Sequence, residues 1–187
     1  MAIIAYLGRT VKEYQEKSYE LLQEMEIYCP QHPEKRAAYH CSYVRGIKET
    51  GEKIDINRLI CYECRKTMAV LPDFLLPYKQ YSANEIEAVI IDSETTEIYD
   101  IDSSASVYTV RRWLKEMSGR MTGWVSRLKA LLTQRQELVP SEISLADLPL
   151  IEQIKSLLVR LPKIRTCGNA LGHANIWLQT LGLPNST

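Results

Sequence analysis

Cys29-Pro30-Gln31-His32 and, one segment later, Cys61-Tyr62-Glu63-Cys64 decide how this chain is read. Each pair places two soft donors three positions apart, which is how one tight turn supplies half of a tetrahedral zinc shell. The expectation is a structural Zn2+ held by Cys29, His32, Cys61 and Cys64. His40 and Cys41 lie between the pairs and compete for the fourth position. A disulfide framework fits poorly, because five cysteines are an odd number. The opening run of apolar residues is also short, with Arg9 and Lys12 following it, so no leader is expected. The expected compartment is the reducing cytoplasm, with Cys167 a buried, small apolar side chain. No stretch approaches the roughly 18 apolar residues of a membrane helix.

Working outward from the metal pairs, Ala37 to Ile47 and Lys53 to Ile60 are rich in Tyr, Val and Ile and flank the turn-like Lys48-Glu49-Thr50-Gly51-Glu52. A hairpin joining two metal knuckles is the layout of a zinc ribbon, expected over 29–70. Before it, Val11, Tyr14, Tyr19, Leu22, Met25 and Ile27 recur among Glu and Lys, and Thr10 with Glu13 forms a capping box. Residues 1–28 therefore read as a helical segment. After it, Pro72 and Pro77 bar a regular helix or central strand, so 71–83 reads as a packed connector.

The charge changes sign along the next stretch. Residues 83–104 hold seven acids and no Lys or Arg, whereas 105–136 hold seven bases against Glu116 alone. The whole chain is formally neutral, which argues against indiscriminate coating of nucleic acid. Ser82 and Glu85 cap a helix carrying Ile86, Val89 and Ile90, and Ile98, Tyr99 and Ile101 suggest a second short helix. A third follows at 107–117, with Val107, Val110, Leu114 and Met117 on one face and Tyr108, Thr109, Arg111, Arg112 and Lys115 on the other. Three short helices with a basic third one predict a trihelical helix-turn-helix over 84–120. A small bundle with a solvated face has the same pattern.

Residues 121–187 read as a C-terminal helical region: one helix through Trp124 to Leu132 ending near Pro140, an acidic linker at 141–147, a helix with Ile151, Ile154, Leu157 and Leu158 stopped by Pro162, and a last helix at 169–181. The expected class is thus α+β, mainly α.

The two metal pairs, Tyr39-His40-Cys41-Ser42-Tyr43-Val44-Arg45, the stretch from Leu71 to Ser82 and the stretch from Ser106 to Leu114 resemble an uncharacterised bacterial family of transposase-like zinc-ribbon type, the domain of unknown function 6431. Family members usually carry Cys where this chain has His32. The resemblance implies the DNA-recognition part of an insertion-sequence transposase. The stretch beyond the basic helix is too short for a magnesium-dependent catalytic domain, which takes on the order of 100 residues or more. Glu137, Glu142, Asp147 and Glu152 read as solvated surface, and no enzymatic activity is expected.

The leading expectation is an accessory or regulatory protein that binds double-stranded DNA through Ser106, Tyr108, Thr109, Arg111, Arg112 and Lys115, with Arg45, Arg58, Arg65 and Lys66 holding neighbouring backbone. A homodimer or a transposition-related protein is a further candidate partner. The alternative is a zinc-ribbon module that binds a protein without touching DNA. His173, among Leu171, Ala174 and Ile176, reads as packed rather than ligating.

Overall fold

The computed structural model describes residues 2–135 and 145–180. The fold is α+β: a mixed four-stranded sheet with one helix on it, a small two-stranded hairpin, and a helical body. In chain order the elements are β1 (Ala2–Ala5), α1 (Val11–Glu24), β2 (Tyr28–Cys29), β3 (His32–Arg36), β4 (Ala38–Gly46), β5 (Lys53–Ile60), β6 (Thr67–Pro72), α2 (Ala83–Asp92), α3 (Val107–Gln134), α4 (Leu150–Leu158) and α5 (Ala170–Thr180).

The sheet order is β1-β6-β5-β4, with β1 parallel to β6 and the other pairs antiparallel. The 37–47 and 53–60 hairpin forms as its sequence suggests. Residues 1–28, however, are not helical throughout: Ala2–Ala5 pairs with Ala69–Pro72 and extends the sheet beyond the ribbon. Such a parallel pair needs a long crossover, and α1, the β2–β3 hairpin and the β4–β5 hairpin all lie between its two strands. Thr10 caps α1 by accepting from the Glu13 amide at 3.1 Å. Tyr14, Ser18 and Leu22, spaced four apart, bury its inner face. The Tyr14 hydroxyl donates to the Asp55 carbonyl at 2.9 Å, and its ring meets Phe74 edge-on.

Leu71 and Pro72 belong to β6, an interior strand, and not to a connector. The proline is admitted because the ladder to β5 stops at Val70, so at Pro72 only the β1 side still pairs. Beyond it the chain does bridge the two bodies. Phe74 and Leu75 pack in the sheet core, and Leu76 packs in the helical core. Polar ties fix the bodies together: the Ser82 amide donates to Glu49 Oε1 at 2.7 Å, and the Lys48 amide to the Gln80 carbonyl at 2.8 Å.

The expected helix at Ile98–Ile101 does not form. Residues 93–106 are turns and irregular chain, so the 84–120 stretch holds two helices and no trihelical unit. Its side chains explain this. Ser, Thr and Asp compete for backbone hydrogen bonds, and Ile98 and Ile101 alone supply too short a stripe to offset helix nucleation. Conversely, the two helices expected at 107–117 and after 124 are one. Val110, Trp113, Met117, Met121, Val125, Leu128 and Leu132 make a continuous buried stripe that outweighs Gly119 and Gly123, each costing about 1 kcal/mol in a helix.

The 151–158 stripe forms α4, against α3. α5 touches α3, α4 and β1, and Gln179 Oε1 accepts from the Ile4 amide at 2.7 Å. Its N-terminus is held by carboxylates: Glu87 Oε2 accepts from the Ala170 and Leu171 amides, and Asp73 Oδ2 from the Cys167 amide at 2.6 Å. Burial pushes both carboxyls above their ordinary range. Cys167 is half-buried rather than fully buried: it packs against the sheet core, as an apolar side chain would, while its amide and sulfur meet Asp73 and Asn169. Burial, with the Asp73 charge beside it, pushes its thiol up to about 12. At Gly172 the helix passes so near the Asp73 carbonyl that a Cβ would collide with it. The 141–144 part of the expected linker, Glu137, Glu142 and Leu181 lie outside the described residues.

Candidate metal centre and cationic helix face

The β2–β3 hairpin supplies Cys29 and His32, and the loop between β5 and β6 supplies Cys61 and Cys64. Cys61 follows the last residue of β5. Its amide donates to the Lys66 carbonyl at 3.1 Å, and Arg65, at φ 56, turns the loop back. The four donor atoms all lie within 4.8 Å of one another. Cys29 Sγ is 3.7 Å from Cys64 Sγ, and His32 Nδ1 is 3.7 Å from Cys61 Sγ and 3.9 Å from Cys29 Sγ.

These separations test the fit of a metal ion. Zinc bonded at about 2.3 Å to sulfur and about 2.0 Å to nitrogen gives tetrahedral edges of roughly 3.5–3.8 Å. The donor set matches that size, so a tetrahedral ion fits here with little rearrangement. Cys29 and Cys61 are buried, while His32 and Cys64 are half-buried. The Cys64 and Glu63 amides bond the Cys61 sulfur and draw its thiol down to about 7. Burial pushes Cys29 up, partly offset by the Gln31 and His32 amides. Backbone N–H groups aimed at sulfur favour thiolate, the form that ligates.

The competing donors are excluded by position. His40 sits exposed where a bulge shifts the β4 register, and Cys41 of β4 lies opposite Arg58 of β5, so neither joins the four. His173 is half-buried, accepts from Trp177 Nε1 at 3.2 Å and is pushed down by burial.

The second feature is the start of α3. Val110, Trp113 and Met117 are buried and fix its orientation, and the Trp113 ring meets Tyr81 edge-on at 4.8 Å. Tyr108, Arg111, Arg112 and Lys115 project into solvent on the other side, with Tyr108 76% exposed. Ser106 is the N-cap and accepts from the Thr109 amide, and the two hydroxyls lie 3.1 Å apart. Both are therefore engaged in starting the helix.

The ribbon cations divide. Arg45 is not available as a surface cation: it is half-buried and donates to the carbonyls of Leu76, at 2.8 Å, and Lys79, tying β4 to the connector. Arg58 donates to Thr67 Oγ1 at 3.0 Å and lies over the Tyr43 ring. Arg65 and Lys66 are exposed beside the metal ligands. Sequence reasoning missed the ion pair of buried Lys79 with Glu116, which locks the connector to α3 and holds the Glu116 carboxyl below its ordinary range. The signal was available, since Glu116 is the single acid in a basic run.

Residues 29–113 match the family described as Domain of unknown function (DUF6431). The family segment begins at the first metal ligand and ends at Trp113, so it spans both knuckles, β4 to β6, α2 and the cationic start of α3. β1, α1 and the C-terminal helices lie outside it. No curated protein and no solved structure matches the chain.

Proposed function

We propose that the chain is a DNA-binding accessory or regulatory protein, related to the recognition region of insertion-sequence transposases and without catalytic chemistry of its own. One observation carries the reading: Tyr108, Arg111, Arg112 and Lys115 form an exposed cationic and aromatic face at the start of a long helix whose opposite face is buried. A helix presented this way suits the major groove, where its N-terminal residues reach base edges. In this reading α2 and α3 act as a two-helix variant of the motif, the 93–106 chain replacing a short turn.

Zinc is structural in this scheme. Cys29, His32, Cys61 and Cys64 would hold it, and it would tie the β2–β3 hairpin to the β5–β6 loop. Four protein donors close the shell, which suits a fold-stabilising ion rather than a catalytic one. Arg65 and Lys66 on that loop supply phosphate contacts beside those of α3. Among the described residues no helix is long and apolar enough to cross a membrane.

Selection of the zinc-loaded protein on a randomised duplex library, at physiological and at higher salt, tests the reading. An enriched motif, lost on substitution of Arg111 and Arg112 and weakened steeply by salt, is the expected result. A folded, metal-bound protein that enriches nothing sinks it. The second reading, a protein-interaction module, draws on β4. It is an edge strand with none of its nine residues buried, and Tyr39, Tyr43 and Val44 are exposed on it. A partner added along that edge would bind with little dependence on salt.

A further inference from the structure

Resting on the DNA-binding reading, we infer that Tyr99 is a positioning residue that pre-orients the Arg111 guanidinium for base recognition. Its hydroxyl accepts a hydrogen bond from Arg111 Nη2, and the guanidinium carbon lies 5.1 Å from the centre of its ring. One residue thus restrains both the position and the plane of the cation. Arginine has five N–H donors in a fixed fork, so one bond to a phenol leaves enough for a bidentate contact to guanine.

Tyr99 is 69% exposed, yet its backbone is well held. Ile98 and Ile101 on either side pack against the helical core, and the Asp100 amide donates to the Glu97 carbonyl at 2.9 Å. Further along, Glu85 Oε1 accepts from Ser103 Oγ at 2.8 Å, from the Ser104 amide at 3.1 Å and from Ser104 Oγ at 3.0 Å. The irregular chain where a helix was expected is therefore an anchored platform beside the start of α3.

The chemistry of the partner matters. Five acids, Asp92, Glu94, Glu97, Asp100 and Asp102, flank Tyr99. Among the described residues, what Arg111 touches is nonetheless the neutral phenol rather than one of these carboxylates. A carboxylate would neutralise the guanidinium and compete with phosphate. A phenol leaves the full positive charge and, at an exposed site, holds it only weakly.

The test uses full-length, zinc-loaded protein with Tyr99→Phe and Tyr99→Ala, read on the selected duplex, on the same duplex with its Arg111-dependent guanine replaced, and on a scrambled duplex. Tyr99→Ala is expected to lower discrimination between the first two about three- to tenfold, the cost of ordering one long side chain, while the salt slope stays unchanged. Tyr99→Phe, which keeps the ring, falls between. In the free protein the Nε–Hε group of Arg111 should gain mobility by NMR relaxation in Tyr99→Ala, a readout independent of DNA. Tighter binding by Tyr99→Ala, equal weakening on all three duplexes, or unchanged discrimination with unchanged Arg111 motion each overturns the inference. An Arg111-dependent motif indifferent to Tyr99 removes this inference alone, whereas no motif from the wild-type protein removes the DNA-binding reading and this with it.

Discussion

At the candidate metal centre four donors from two loops converge to within 4.8 Å, whereas at the start of α3 the side chains of Tyr108, Arg111, Arg112 and Lys115 are exposed to solvent. Backbone N–H groups support the first set, and two of its four ligands are buried. The second set rests on a buried Trp113, and its side-chain partner among the described residues is Tyr99, which holds Arg111. The knuckles are chemically complete once a cation is added; the helix face is complete only with something outside the chain. Stability should therefore report the first region, and binding the second.

Loss of a metal ligand is the largest expected effect. Cys61→Ser should abolish stoichiometric zinc and cost several kcal/mol, less than the roughly 10–16 kcal/mol of an isolated finger because the sheet keeps its own apolar core. Cys41→Ser, on the outer strand, should leave one zinc per chain and change stability by no more than about 0.5 kcal/mol. Elemental analysis with thermal unfolding checks both. Equal zinc loss in the two variants would mean that the donor set is wrong.

Next in size is the helix face. Arg111→Ala with Arg112→Ala should lower affinity for a selected duplex about 100-fold and flatten the salt slope by up to roughly two. Zinc content and melting temperature should not change. Were the double variant to lose zinc or unfold, the separation between a structural and a recognition region would fail.

The two regions were also unequally legible. The metal centre could be read because tetrahedral chemistry demands particular residue types at short spacing, and Cys29, His32, Cys61 and Cys64 do come together. The exposed side of α3 followed from its period, and the hairpin from its turn. What escaped depended on partners distant in sequence. β1 is four residues of Ala and Ile, and β6, nearly 70 residues away, completes it. Arg45 looked like a surface cation, yet two carbonyls of the connector capture it. The false helix at 98–101 and the false break near Gly119 share one cause. Local propensity was weighed where burial decides: too little of it in the first case, a long stripe of it in the second.

A smaller effect concerns buried charge that no cation accompanies. Asp73 has no exposed surface, and one of its carboxylate oxygens lacks a hydrogen-bond partner among the described residues. Burial raises its pKa, so the folded protein binds this proton more tightly than the unfolded chain. Its contribution to stability therefore rises as pH falls from neutral through the folded-state value, and levels off below the ordinary carboxylate range. Denaturation at several pH values should show wild type gaining on Asp73→Asn as pH falls. A constant difference would mean that Asp73 is ionised and satisfied, making it as complete a site as the knuckles.

The smallest effect probes how open the helix face is. Gly119 and Gly123 lie one turn apart on α3, both exposed, and a Cβ built at either meets nothing within 4 Å. Alanine at each should stabilise the free protein by about 0.5–1 kcal/mol, because glycine loses more backbone freedom in a helix. If that gain comes with unchanged affinity for a selected duplex, recognition is confined to the first turns, where Tyr108, Arg111, Arg112 and Lys115 lie. If affinity falls while stability rises, something in the complex approaches the α3 backbone closely at the glycines. The binding region would then extend along the helix, and its contrast with the compact metal centre would be sharper.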